Sequence, residues 1–186
     1  MPDPFATLQQ PRRPWLDPAA LKEAFHRLGA ARHPDTAGGD AAAFAEVNAA
    51  WQALRDPATR LRHLLPPEVL ARPVQIPPAL GDRFLQLAAL RQALADFRAR
   101  ESSASGALAK ALLAGEKEKL RREAEAALAS LDAAAAAATA DLRALDAQWQ
   151  PGDDALTNQL ALLQRQFAFL GKWSAQLREA LFPLGA

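Results

Sequence analysis

The sequence predicts an all-α fold, with four N-terminal helices followed by a separate bundle of three. Three observations predict it. Alanine is abundant and β-branched residues are scarce, a composition that favours helix over strand. Apolar residues recur at steps of three and four along most of the chain. Asp-Pro pairs stand at 17–18 and 56–57, where Asp can cap a helix and Pro can fill its first position.

The elements follow in order. Phe5 to Leu8 is a short apolar turn, and a Pro/Arg-rich loop runs on to Trp15. Asp17-Pro18 opens a helix whose apolar stripe is Leu21, Phe25 and Leu28, with Lys22, His26 and Arg27 on the opposite side. Pro34 disfavours helical geometry at His33, so this helix should end near Arg32. Asp40 can cap the next helix, whose face is Phe44, Val47, Trp51 and Leu54. Asp56-Pro57 opens a short helix carrying Leu61, Leu64 and Leu65.

"LPPEVLARPVQIPP" then holds five prolines in fourteen residues and cannot be one continuous helix. Residues 66–78 read as a linker, partly packed through Val69, Leu70, Val74 and Ile76. Three helical segments follow Pro78. The first runs to about Arg100 and is broken by "ESSASG". The second runs from about Ala107 to Trp149, with Gly115 a candidate interruption. The third runs from Ala155 to Phe182. In it Leu156, Leu160, Leu163, Phe167, Leu170, Leu177 and Leu181 form a heptad seam, with Ser174 filling the one gap. The alanine tract from Asp132 to Asp141 reads as a helix packed closely through small residues. The chain thus divides into residues 1–65, a linker 66–78 and a helical bundle 79–186.

Composition narrows function. The 186 residues carry a formal net charge of +1, so no global field points to nucleic acid or to a membrane surface. With no cysteine there is no disulfide, thiolate metal site or cysteine nucleophile. His26, His33 and His63 lack ligand spacing, so neither a metal nor a cofactor is expected. No run of about 18 apolar residues offers a membrane span. The N-terminus lacks a charged-then-apolar leader. The expectation is a soluble cytoplasmic protein.

One stretch asks for more than turn chemistry. In "GAARHPDTAGGD" a His33-Pro34-Asp35 triplet joins two helices, where Gly and Ser alone would suffice. A basic-faced helix precedes it, a helix with Phe44, Trp51 and Leu54 follows, and "RDPATR" opens the next. This arrangement resembles a J-domain, the DnaJ-type module that stimulates the ATPase of a 70-kDa heat-shock-type chaperone of the DnaK/HscA class. "LKEAFHRLGAARHPD" is similar to the module's second helix and loop, and "FAEVNAAWQALRDPATR" to its third helix and the start of its fourth. Arg32 stands where an aromatic is usual, and Thr36 where a base is usual.

"NAAWQALRDPATRLRHLL" is most similar to the HscB family, J-proteins of iron–sulfur cluster biogenesis with a C-terminal three-helix bundle. "RFLQLAALRQAL" resembles that family's first C-terminal helix and "FLGKWSAQLREAL" its last. The resemblance implies a chaperone-binding surface of His33, Pro34, Asp35, Lys22, Arg27 and Arg32. It implies a second surface, on the bundle, that holds an IscU-like scaffold as client. Phe84, Leu85, Ala88 and Phe169 fall at its apolar positions. Ala89 and Gln92 fall where acids are usual, and Asp96 restores one. Helical phase adds Trp173, which lies off the heptad seam with Phe169 and Leu162. Such a second stripe exposes apolar area unless a neighbour covers it. A competing reading is a structural adaptor whose helical hairpin serves dimerisation. For an enzyme there is no nucleophile beside a base, and no catalytic residue is assigned.

Overall fold

The computed structural model describes residues 2–35, 39–73 and 78–184. Among them every regular element is helical, so the fold is all-α. Thr36, Val74 and Ile76 lie outside the described residues.

Aspartates start the N-terminal helices, as their side chains require. Asp3 caps α1 (Pro4–Thr7). Asp17 accepts from the amides of Ala19 and Ala20 at the head of α2 (Pro18–Arg32). Asp40 accepts from Ala42 N at 2.8 Å at the head of α3 (Ala41–Arg55). Asp56 takes the amide and hydroxyl of Thr59 at the head of α4 (Pro57–Leu64). Each satisfies donors that a helix start otherwise leaves unpaired. The proline-rich stretch contains one further turn, α5 (Pro67–Leu70), which buries Val69.

Three long helices follow: α6 (Pro78–Ser103), α7 (Ala107–Ala147) and α8 (Asp154–Leu181), the last closed by a 3₁₀ turn over Phe182–Leu184. The break after α6 falls three residues later than the sequence predicts. Ser102 and Ser103 donate back to the carbonyls of Ala99 and Arg100, which lets the helix run on. The chain turns instead at Gly106, whose φ of 95° suits a residue without a Cβ. Gly115 does not interrupt α7. A Cβ placed there, or at Gly171 of α8, would meet nothing, so neither glycine marks a close approach of helices.

Two compact units result, and they do not follow chain order. The first comprises Met1–Pro73 with Ala138–Ala168; the second comprises Val74–Ala137 with Phe169–Ala186. The C-terminal end of α7 and the N-terminal part of α8 therefore belong with the N-terminal helices.

Within the first unit, Phe5, Leu8, Leu16, Leu21, Leu28, Val47, Ala50 and Leu54 form one core. Phe25 of α2 stacks on Trp51 of α3, ring centres 4.9 Å apart. A second core joins Ala58, Leu61, Leu65 and Val69 to Ala138, Leu142, Leu160, Leu163 and Phe167. The second unit is built on Leu87, Leu94, Phe97, Leu120, Leu131, Leu170, Trp173 and Leu177. The heptad residues of α8 are all buried, Ser174 among them. The alanine tract is helical, with Ala138 fully buried.

Candidate functional site

The loop after α2 is shaped by three local constraints. His33 caps the helix in an extended conformation, φ −61° and ψ 133°, as the following proline demands. Its ring meets Phe44 edge-on at 5.1 Å, tying the start of the loop to α3. Gly39 closes the loop from the other side. A Cβ on it would lie 1.9 Å from the His33 carbonyl oxygen, a position no side chain can take. The Asp40 amide then donates to the Arg32 carbonyl at 3.3 Å.

Inside this closed base the triplet is presented outward. Pro34 and Asp35 are exposed, the Asp35 side chain to 88%. The Asp35 amide donates to His33 Nδ1 at 3.3 Å, and the Asp35 carboxylate lies 3.6 Å from the same nitrogen. When Nδ1 accepts, the neutral ring carries its proton on Nε2. Lys22 and Arg27 lie exposed on α2, and Arg32 is half-buried at its end. Arg27 donates to the Gln9 side chain at 2.9 Å, while Lys22 makes no ion pair among the described residues. The triplet and Arg32 thus stand at the C-terminal end of α2, and Lys22 and Arg27 are exposed along its length.

The bundle residues separate by exposure. Phe84 and Leu85 of α6 are 47% and 65% exposed, which is unusual for such large apolar groups. Ala88 is half-buried and Asp96 exposed. Trp173 is only 6% exposed, because α6 covers it: the Phe84 ring meets it edge-on at 5.2 Å. Phe169 is half-buried, 6.1 Å from the Trp173 ring. Leu162, the third residue of the off-seam stripe, is 50% exposed. The accessible apolar patch is therefore carried by Phe84 and Leu85, with Trp173 beneath as support.

The sequence gives no sign of a buried polar node. Arg60 of α4 is 3% exposed and donates to the carbonyls of Pro14 and Leu54, both at 2.8 Å. Burial pulls its pKa down to about 10, against the opposing pull of Asp56 and Asp146. Asp146, near the end of α7, is buried in turn and accepts from Arg13 and from the Trp15 amide. Arg143 lies over the Trp15 ring at 4.2 Å. These partners are separated by up to 133 positions, so no local pattern reveals them. No cluster of three or more metal-ligating side chains forms among the described residues. No helix among them is long and apolar enough to cross a membrane. Comparison with protein-family models, with curated proteins and with solved structures finds no match for this chain.

Proposed function

We propose that the chain is a J-domain co-chaperone of the HscB type. Helices α1–α4 engage the ATP state of a 70-kDa heat-shock-type chaperone, and the bundle holds an iron–sulfur scaffold as client. The observation that supports this reading best is the His33-Pro34-Asp35 triplet. Its Pro34 and Asp35 stand exposed at the end of a basic-faced helix, with His33 half-buried behind them, on a loop whose base is locked by Gly39 and Asp40. A loop that served only to turn the chain would need no such presentation. Lys22 and Arg27 supply cationic heads for an acidic surface on the chaperone, which favours fast, salt-sensitive association. Phe84 and Leu85 supply the apolar contact for the client.

The test is ATPase turnover of the chaperone with the purified full chain. The wild-type chain stimulates turnover, and His33→Gln abolishes stimulation while the melting temperature stays nearly unchanged. Glutamine keeps most of the half-buried side chain's bulk beside Phe44, so the change in stability should stay within about 1 kcal/mol. Altered melting with intact stimulation would reduce the triplet to a turn. For the client, calorimetry of the full chain against an IscU-like scaffold reads Leu85→Ala, the more exposed of the two anchors. A central apolar anchor can cost about 2 kcal/mol when truncated, roughly thirtyfold in affinity. No heat at high micromolar concentrations would remove the iron–sulfur assignment.

A further inference from the structure

The second unit has a trough on the side where α6 and α8 run beside each other. On α6, Phe84, Ala88, Arg91, Ala95 and Arg98 recur at steps of four, three, four and three, which is one face of a helix. On α8, Phe169, Trp173, Gln176 and Ala180 recur at four, three and four. Phe84 meets Trp173 at the upstream end. Further along, Arg91, Ala95 and Arg98 line a recess of about 320 Å³ together with Gln176 and Ala180. Both helices therefore run in the same direction: the exposed Phe84 ring stands upstream on this face, over the buried Trp173, and the recess downstream is lined by the two arginines with Glu179 on its α8 side. Its α6 side is about 21 Å long from Phe84 to Arg98.

The two arginines decide what fits there. Other guanidiniums of this unit are matched by acids: Arg100 by Glu116, Arg121 by Glu118 and Glu125, Arg178 by Asp132. Arg91 and Arg98 are exposed and make no ion pair or hydrogen bond among the described residues. The acid nearest them in sequence, Asp96, accepts from Gln92 at 2.9 Å, and Glu179 across the recess pairs with neither. Two turns of helix set the guanidiniums about 10 Å apart along the trough. Carboxylates seven residues apart on a facing helix have the same spacing. A helix laid between two neighbours of a three-helix bundle completes a four-helix arrangement.

We propose that the trough between α6 and α8 docks an amphipathic helix of a partner protein, apolar at one end and carrying two carboxylates seven residues apart at the other. This rests on reading the face around Phe84 as the client surface, and it names the chemistry of the client segment. An acidic client helix is the complement of the two arginines, which outnumber the one acid, Glu179, that lines the recess.

The probe is a labelled synthetic helix of about 20 residues, with leucines at i and i+4 and glutamates at i+7 and i+14. A second peptide has the order reversed, so that either chain direction can bind. Fluorescence anisotropy with the full chain should show binding by one of them. Combined Arg91→Glu and Arg98→Glu should weaken it at least about tenfold, since both ion pairs are lost and like charges then face each other. A twin peptide with lysines should bind the reversed chain better than the wild type, which also shows that the variant is folded. Equal binding of glutamate and lysine peptides, or no binding of either, overturns the proposal. Charge-selective peptide binding without scaffold binding keeps the trough and removes the scaffold as its client. Scaffold binding untouched by the reversal removes the trough and keeps the client reading.

Discussion

Arg60 and Gly39 show what single residues do here. Arg60 puts a guanidinium where water cannot reach, and the Pro14 and Leu54 carbonyls accept from it there. Removing it leaves both carbonyls buried and unsatisfied, at about 1–3 kcal/mol each. Arg60→Met should therefore lower the free energy of unfolding by about 2–4 kcal/mol in urea titration, whereas exposed Arg62→Met should stay within about 0.5 kcal/mol. The pH dependence has a definite sign. With a folded pKa of about 10, below the ordinary guanidinium value, the unfolded chain binds more protons between the two. Stability from this titration is present above the ordinary guanidinium value and is lost as pH falls through about 10, so between pH 6 and 9 Arg60 should add nothing to the pH dependence of unfolding. Gly39→Ala places a methyl group against the His33 carbonyl and must open the loop base. It should lower the melting temperature and, if the triplet is the chaperone contact, reduce ATPase stimulation as well. His33→Gln should do only the second.

At the scale of elements, much was legible because the deciding interactions are local. Asp17, Asp40 and Asp56 cap helices through amides two or three residues away, and those signals stand in the sequence side by side. The α8 seam was equally readable, since its period alone selects the buried face. The continuity of α7 through Gly115 was not, because its support comes partly from another helix. Arg100 and Glu101 of α6 pair with Glu116 and Lys117 just beyond that glycine. Further on, Glu118 accepts from both Arg121 and Arg122, and these hydrogen bonds lower its pKa to about 2. Its contribution is present above 4.5, the ordinary value, and is lost as pH falls through about 2. A carboxyl NMR titration should place the Glu118 midpoint near 2, and Arg121→Gln combined with Arg122→Gln should return it toward 4.5.

At the scale of the whole molecule, the sequence divides at the proline-rich stretch; the compact units part there too, after Pro73, but part again inside α7 after Ala137 and inside α8 after Ala168. Leu61, Leu65 and Val69 need Leu142, Leu160 and Phe167 to be buried, and nothing in the spacing of either set names the other. The candidate triplet was legible as a motif; the exposure of Phe84 over a buried Trp173 required the packed bundle. One expectation follows for dissection. A fragment of residues 1–73 keeps the core around Val47 and Leu54 but loses the partners of α4. Hydrogen exchange should show α2 and α3 protected in that fragment and α4 close to free exchange, with Asp146 no longer there to hold Arg13 and Trp15. Protection of α4 equal to that in the full chain would refute this account.

Synthesis gives the interleaved first unit a timetable. Translation adds about 5–20 residues per second, so the residues that cover α4 are made about 5–20 s after it. For that interval the apolar face of Leu61 and Leu65 has no cover of its own on the nascent chain. A ribosome stalled before residue 138 would hold out a protein with a finished α2–α3 hairpin and an unfinished α4. Such chains should be cut by protease within α4 and spared in α3, and release of full-length protein should abolish the cut.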